Sequence, residues 1–339
     1  LHPDPTVKRQ SGFLFPFFTN TSNLGAGFGI PYYWALNNDK DLTFTPKIYS
    51  NENALFMNEY RQAFKDGFLT LDTSYTEGYK NITSNKTSGS RNHIFGQVDV
   101  TLNQDESYES NMSLKVQRTS NDTFFRSHDV DTALVDSENT NLENAFNYNY
   151  NENNMFFNFS ASVYENLREK TNNRYEYVLP NIMYGKTFFT KKYGFFDFTS
   201  NAVYKNYDSD KHLSVLNNEV IWTSNSLTTK KGVVNTLGGM ISNINYEAKN
   251  TPDYKTKGTV NELKSVLTYK SSLPMKKDNI NSFNIFSPNF MLRYAPGHMR
   301  DLGDESLMLK QTNLFAMNKT SEIENGLSAI LGFDFKKND

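Results

Sequence analysis

The chain has 339 residues, 27 Phe and 20 Tyr against 2 Trp, no cysteine, and a formal charge of −2. Near-neutrality offers a polyanion nothing to hold, which argues against nucleic acid as a partner, and the lack of cysteine excludes a disulfide-stapled domain. No window approaches the ~20 consecutive apolar residues of a membrane helix, so a helical membrane protein is excluded. A membrane β-barrel is not, because its outward face takes only every second residue. With 14% aromatic residues and a mean hydropathy of −0.64, the rings must be interspersed among polar residues, as in alternating strands.

The first stretch, Lys8 to Pro16 followed by Gly29 to Trp34, reads as two adjoining β-segments, each carrying one proline, Pro16 and Pro31, fifteen residues apart. Proline cannot donate to a strand ladder, so such strands pair weakly where the prolines sit. In a closed barrel that weakness belongs at an edge or a seam. Gly25-Ala26-Gly27-Phe28-Gly29 has the look of a phosphate-binding loop, but no helix follows it; strand glycines near a bend or a close backbone approach explain it better.

Further along, His93 to Asn103 sets Ile94, Gly96, Val98, Val100 and Leu102 against His93, Phe95, Gln97, Asp99, Thr101 and Asn103. Tyr108, Met112, Leu114 and Val116 against Glu109, Asn111, Ser113, Lys115 and Gln117 repeat the pattern. Period-two alternation of this kind marks strands with one apolar and one polar face. From residue 55 onward the links alternate in length. Short ones fall at Lys65-Asp66-Gly67, Asn103 to Ser107, Glu152 to Asn154, Lys191 to Tyr193, Lys230 to Gly232 and Asn318 to Thr320. Long ones fall at Tyr79 to Asn92, Thr119 to Leu142, Leu167 to Arg174, Asn206 to Leu213, Glu247 to Gly258 and Pro296 to Glu305. Tight turns at one rim and long loops at the other are the habit of outer-membrane barrels. The expectation is an all-β, antiparallel transmembrane β-barrel of outer-membrane type, with about 17 strands. Tyr75, Tyr79, Tyr108, Tyr164, Tyr175 and Tyr204, near segment ends, suit the aromatic girdles of such a wall; core aromatics of a soluble sandwich are the rival.

The run His2-Pro3-Asp4, Lys8-Arg9, Ser11 to Pro16, then Pro31 to Leu36, Asp41 to Pro46 and Tyr60-Arg61-Gln62 resembles the start of the barrel in the LptD family of lipopolysaccharide-assembly proteins, also called OstA or Imp. The resemblance is densest over residues 2 to 78, thin through the Asn-rich middle, and returns at Phe286-Ser287-Pro288, Leu292 to Pro296, Asn313-Leu314-Phe315 and Ile323 to Gly326. It implies that residues 1–12 are the junction from a periplasmic domain and 13–339 the N-terminal part of a barrel, so that the chain is a fragment. It further implies a non-enzymatic translocon of the Gram-negative outer membrane, without cofactor. Pro16 and Pro31 would weaken a lateral gate through which lipopolysaccharide reaches the outer leaflet among the membrane lipids. An LptE-like plug lipoprotein would fill the lumen, and an LptA-like bridge protein would dock on the preceding domain.

Lys8 and Arg9 lie at the junction; a cation pair there can meet lipid phosphate, and a solvated rim is the plainer reading. The five histidines, His2, His93, His128, His212 and His298, are scattered without i, i+4 spacing, so no metal site is expected. His128-Asp129-Val130-Asp131 falls in a long polar stretch and reads as a solvated loop. Neither a Gly-x-Ser-x-Gly motif nor a local Ser, His and acid arrangement is present. The alternative function is a general diffusion porin in which the prolines are incidental.

Overall fold

The alternation seen in the sequence is realised as antiparallel sheet almost throughout. The computed structural model describes residues 9–80, 89–138, 140–170, 172–207, 210–251, 258–278, 283–297, 315–317 and 325–338. The strands are β1 (Gly12–Phe13), β2 (Phe17–Thr21), β3 (Gly25–Gly29), β4 (Tyr32–Ala35), β5 (Lys40–Tyr49), β6 (Leu55–Phe64), β7 (Gly67–Thr76), β8 (Arg91–Gln104), β9 (Tyr108–Thr119), β10 (Asn141–Glu152), β11 (Met155–Asn166), β12 (Tyr175–Thr190), β13 (Gly194–Tyr207), β14 (Lys211–Thr223), β15 (Leu227–Thr228), β16 (Val234–Lys249), β17 (Val260–Ser272), β18 (Met275–Asp278), β19 (Phe283–Ala295) and β20 (Gly326–Asn338). These segments outnumber the expected strands because breaks at Pro16, at Pro31, at 224–226 and at 273–274 split continuous runs. Two compact units result, one of Leu1–Asn153, Asn158–Asn181 and Tyr204–His212, the other of Asn154–Phe157, Ile182–Val203 and Leu213–Asp339.

In the first unit β5 to β10 form an antiparallel meander. Its register sorts side chains by face, since cross-strand partners share a face. Phe56 lies opposite Tyr75, Leu71 opposite Gly96, Val98 opposite Leu114, and Leu114 opposite Phe146. On the other face Glu59 lies opposite Asp72, Arg61 opposite Thr70, Ser74 opposite His93, and Gln97 opposite Lys115. The apolar face is the exposed one: Phe44, Ile48, Phe56, Leu71, Tyr75, Ile94 and Leu114 all show large surface, while Asp72, Ser74, Thr76 and His93 are buried. A soluble sheet would do the reverse.

The covered face owes its burial to the segment between β9 and β10. There α1 (Phe124–His128), closed by Asp129 in the left-handed region at φ 50°, brings Phe124, Phe125, Val130 and Val135 into one cluster with Leu24, Tyr49, Leu55, Met57, Phe95, Leu142 and Leu167. The solvated loop expected for His128 to Asp131 is therefore corrected: His128 and Val130 are buried, and only the alternating Asp129 and Asp131 stay exposed. Arg174 pins this segment from behind, donating to Asp122 through both terminal nitrogens at 2.6 and 3.0 Å and to Glu165 through Nε at 2.8 Å.

Burial depresses the His128 imidazolium below its usual range, the bond to the Phe124 carbonyl opposing this only in part. A histidine held neutral when folded adds full stability above its ordinary value of 6.5 and loses it as pH falls, because the released segment then takes up the proton first. Proteolytic nicking within residues 120–138 is accordingly expected to accelerate from pH 7 to pH 5.5 in the wild type and to be flat in His128→Phe.

The second unit shows the same inversion. Phe286, Phe290, Leu292 and Tyr294 of β19 lie opposite Phe335, Leu331, Ala329 and Leu327 of β20, on an exposed face where Leu331 shows 79% of its surface. The opposite face pairs Arg293 with Ser328 and Asn289 with Gly332. Below it Met240, Val266 and Ala295 pack with Ile221 and Met317, and Arg293 Nε donates to the Met317 carbonyl at 2.7 Å. The short links at 65–66, 105–107, 153–154 and 191–193 are tight turns as expected. Asn318 to Thr320 lies outside the described residues. Tyr75, Tyr164, Tyr175 and Tyr204 stand exposed, as girdle aromatics rather than core ones would, whereas Tyr79 and Tyr108 are half-buried and Tyr79 stacks on the buried His128.

Candidate functional site

Pro16 separates β1 from β2, and Pro31 separates β3 from β4, so each of the first two strands is broken once. Gly12 and Phe13 pair with Tyr33 and Tyr32; Phe17 to Thr21 pair with Gly29 back to Gly25. Three residues lie between Phe13 and Phe17, but only two between their partners Gly29 and Tyr32. The extra residue is a β-bulge at Pro16, which reverses side-chain parity along the first strand. Phe13, Phe15 and Phe18 therefore all face outward, Phe15 with 86% of its surface exposed, while Phe17 turns to the covered face.

That inward turn needs Gly29 opposite, because a Cβ there would sit 2.3 Å from the Phe17 ring. At Gly27 the Thr19 hydroxyl leaves equally little room. The glycine run thus serves the close approach expected of it.

The ladder around the prolines is half made. Leu14 N–H donates to the Pro31 carbonyl at 2.8 Å. In an antiparallel hydrogen-bonded pair the two residues exchange two bonds, and Pro31 has no N–H to return. One strand further in, Ile30 N–H donates to the Pro46 carbonyl at 3.4 Å, and Pro46 can return nothing either. Two neighbouring strand interfaces therefore lose a donor at nearly the same level.

Pro46 was not singled out by sequence reasoning, although it repeats the fifteen-residue spacing after Pro31. A restored bond is worth about 1 kcal/mol net. Pro46→Ala is thus expected to slow hydrogen exchange at Ile30 about fivefold, read by mass spectrometry on the folded protein.

The ends of this hairpin are held better than its middle. Leu24, in the turn between β2 and β3, is buried in the cluster with α1, and its carbonyl accepts from Asn51 N–H at 3.2 Å. At the other end Arg9 is ion-paired to the buried Asp41, which also accepts from Arg61 Nε at 2.9 Å, and Arg9 donates to the Asn38 carbonyl at 3.2 Å. The Arg9 guanidinium thus shares one carboxylate with Arg61. Lys8 lies outside the described residues.

Behind the prolines is a cavity of about 340 Å³ lined by Phe17, Pro31, Thr45, Lys47, Glu59 and Asp131 among others. Lys47 Nζ donates to the Asp129 carbonyl at 2.9 Å and stands 5.4 Å from the Phe17 ring centroid, tying the inserted segment to the third full strand. Farther along the covered face of the first unit, a hollow of about 940 Å³ is bounded by Lys65, Asp99, Thr101, Asn111, Ser113 and Asn149.

One further constellation emerged only with the register. Ser74 Oγ lies 2.5 Å from His93 Nδ1, and His93 Nε2 lies 3.2 Å from Asp72 Oδ1. All three side chains are buried, and the rings of Phe95, Phe124 and Phe125 pack on the imidazole. A nucleophile must reach its substrate; this hydroxyl is sealed in, and the trio ties β7 to β8. His2 and His298 lie outside the described residues, among which no group of His and carboxylates is arranged to hold a metal.

No family model matches the chain. Several curated proteins are similar to it over a limited stretch. The LPS-assembly protein LptD of Nitrosococcus oceani is 32% identical over 108 residues, which are 30% of this chain and 15% of that protein. The protein of the same name from Yersinia enterocolitica is 39% identical over 64 residues, 19% of this chain and 8% of its own length. That from Shewanella frigidimarina is 41% identical over 54 residues, 16% and 7% respectively. The similarity is local. It agrees with the resemblance read from the residue motifs and supports the LptD family at most.

Proposed function

We propose that this chain is part of the wall of an outer-membrane β-barrel that delivers lipopolysaccharide sideways into the outer leaflet. The observation that carries the reading is the pair of half-made ladder contacts at Pro31 and Pro46, next to a first strand bulged at Pro16. An edge of this kind separates at low cost, since each missing backbone bond forgoes about 1 kcal/mol. The exposed apolar faces of both units supply a surface that lipid hydrocarbon would cover and water would not tolerate. The polar hollow beside Asp99 and Asn111 offers the sugars a wet path on the other face.

On this reading Pro16 and Pro31 are gate residues, residues 1–12 join the wall to a preceding periplasmic domain, and no bond is made or broken in the substrate. An LptE-like lipoprotein in the lumen and an LptA-like bridge reached through the preceding domain are the partners the family resemblance adds. Lys8 and Arg9 remain the candidate lipid-phosphate contacts at this rim, Arg9 from the ion pair with Asp41 that also holds the hairpin base.

A diffusion porin also needs a polar hollow, so the discriminating experiment is depletion of the full-length protein in cells. Surface lipopolysaccharide is expected to fall while uptake of small hydrophilic solutes is maintained. Lost solute uptake with normal surface lipopolysaccharide would favour the porin.

A further inference from the structure

The second unit carries a one-sided charge that gate chemistry does not use. At one end of its strands, Lys191 and Lys192 form the turn between β12 and β13, and Lys230 and Lys231 the turn before β16. Register brings Lys276 and Lys336 to the same end, since Val234 lies opposite Ser272, just ahead of β18; both lie opposite Ile285 and so stand on the face of Asn289, while Phe333 and Phe335 take the other face. All six are exposed. The acids near them are few among the described residues: Asp278, paired with Lys276 at 2.7 Å, and, set further in, Asp334, bound by Asn289, and Asp197, bound by Thr187. Among the described residues at the opposite end of β16 and β17 the charges are equal in number, Glu247 and Glu262 against Lys249 and Lys264.

Rings lie just inside the lysines. Phe188, Phe189, Tyr193, Phe333 and Phe335 are exposed. Lys192 Nζ stands 5.3 Å from the Tyr193 ring centroid. Trp222 Nε1 donates to the Tyr193 carbonyl at 2.7 Å, and Asn225 donates to the Lys191 carbonyl at 2.9 Å, so the first of these turns is fixed in place. A belt of rings with ammonium groups immediately beyond it matches the passage from hydrocarbon to headgroup, where amphipathic rings settle and lysines snorkel outward.

We propose that this end of the second unit is a docking surface for the phosphate headgroups of anionic lipids in the leaflet facing the short turns. It rests on the reading that the chain spans a membrane, and is independent of what the protein exports. Charge complementarity selects the occupant, and the adjoining exposed rings select a bilayer over a soluble acidic protein.

The test is the association of spin-labelled phosphatidylglycerol and phosphatidylcholine with the full-length protein reconstituted in phosphatidylcholine vesicles, against the Lys191→Gln, Lys192→Gln, Lys230→Gln, Lys231→Gln variant, whose folding is checked by heat-modifiable migration. Phosphatidylglycerol is expected to be preferred about fivefold, the effect of one lysine near an anionic surface, with the preference lost in the variant and in 1 M salt, where the screening length is about 3 Å. Motionally restricted lipid without headgroup preference, or a preference unchanged in the variant, overturns the inference alone. No restricted lipid of either kind sinks the membrane-spanning reading along with it.

Discussion

Full-length protein carrying Pro16→Ala and Pro31→Ala is expected to place markedly less lipopolysaccharide on the cell surface than the wild type, at equal protein abundance. The Leu14–Pro31 contact has one bond where an ordinary pair has two. Pro31→Ala supplies the missing donor, and Pro16→Ala restores a second N–H and relaxes the constraint that fixes the bulge between Phe13 and Phe17. At about 1 kcal/mol, the bond restored at Pro31 lowers the open fraction of the edge roughly fivefold. The variant should be at least as resistant to heat as the wild type, which separates a gate that is too firmly shut from a barrel that has failed to fold. Normal surface delivery by a variant shown to have the tighter ladder would remove the prolines from the mechanism.

Phe124→Ala is expected to have the largest effect on stability, about 3–5 kcal/mol for a fully buried ring. Phe124 is completely covered and contacts the rings of His93, Phe125 and His128. Its loss should release the segment between β9 and β10 from the covered face, since α1 is too short to persist alone. Limited proteolysis should then cleave near residues 120–138 already at neutral pH, where the wild type is expected to resist. Leu24, in the same cluster, would lose its cover too, and the tip of the first hairpin should exchange faster. A Phe124→Ala protein with wild-type proteolysis would mean that the inserted segment is held mainly by Arg174 and its two carboxylates.

The sheet was legible because its cause is local. Ile94 to Leu102 alternate with polar residues whatever the neighbouring strands do, and turns such as Lys65-Asp66 need only two or three residues to declare themselves. Pro16 and Pro31 stood out for the same reason. What stayed hidden depends on register. The bulge at Pro16 is defined by a mismatch with residues 29 to 32, and the shared level of Pro31 and Pro46 by the pairing of Ile30 with Pro46. Ser74, His93 and Asp72 are separated by 19 and 21 residues in sequence and meet only because β7 and β8 pair. The inward fold of the segment after β9 was missed because Phe124, Phe125, Val130 and Val135 follow neither a strand nor a helix period and sit among polar residues. Its apolar side chains are ordered by the covered face they fill.

The most direct measurement is hydrogen exchange on the folded full-length protein in detergent or nanodiscs, comparing peptides from residues 12–35 with those from 55–76. The first two strands are expected to exchange at least tenfold faster around Leu14 and Ile30 than β6 and β7, whose ladder is complete from Leu55–Thr76 to Phe64–Gly67. Protection of residues 12–35 equal to that of β6 and β7 would contradict a weakly laced edge, and with it the lateral route.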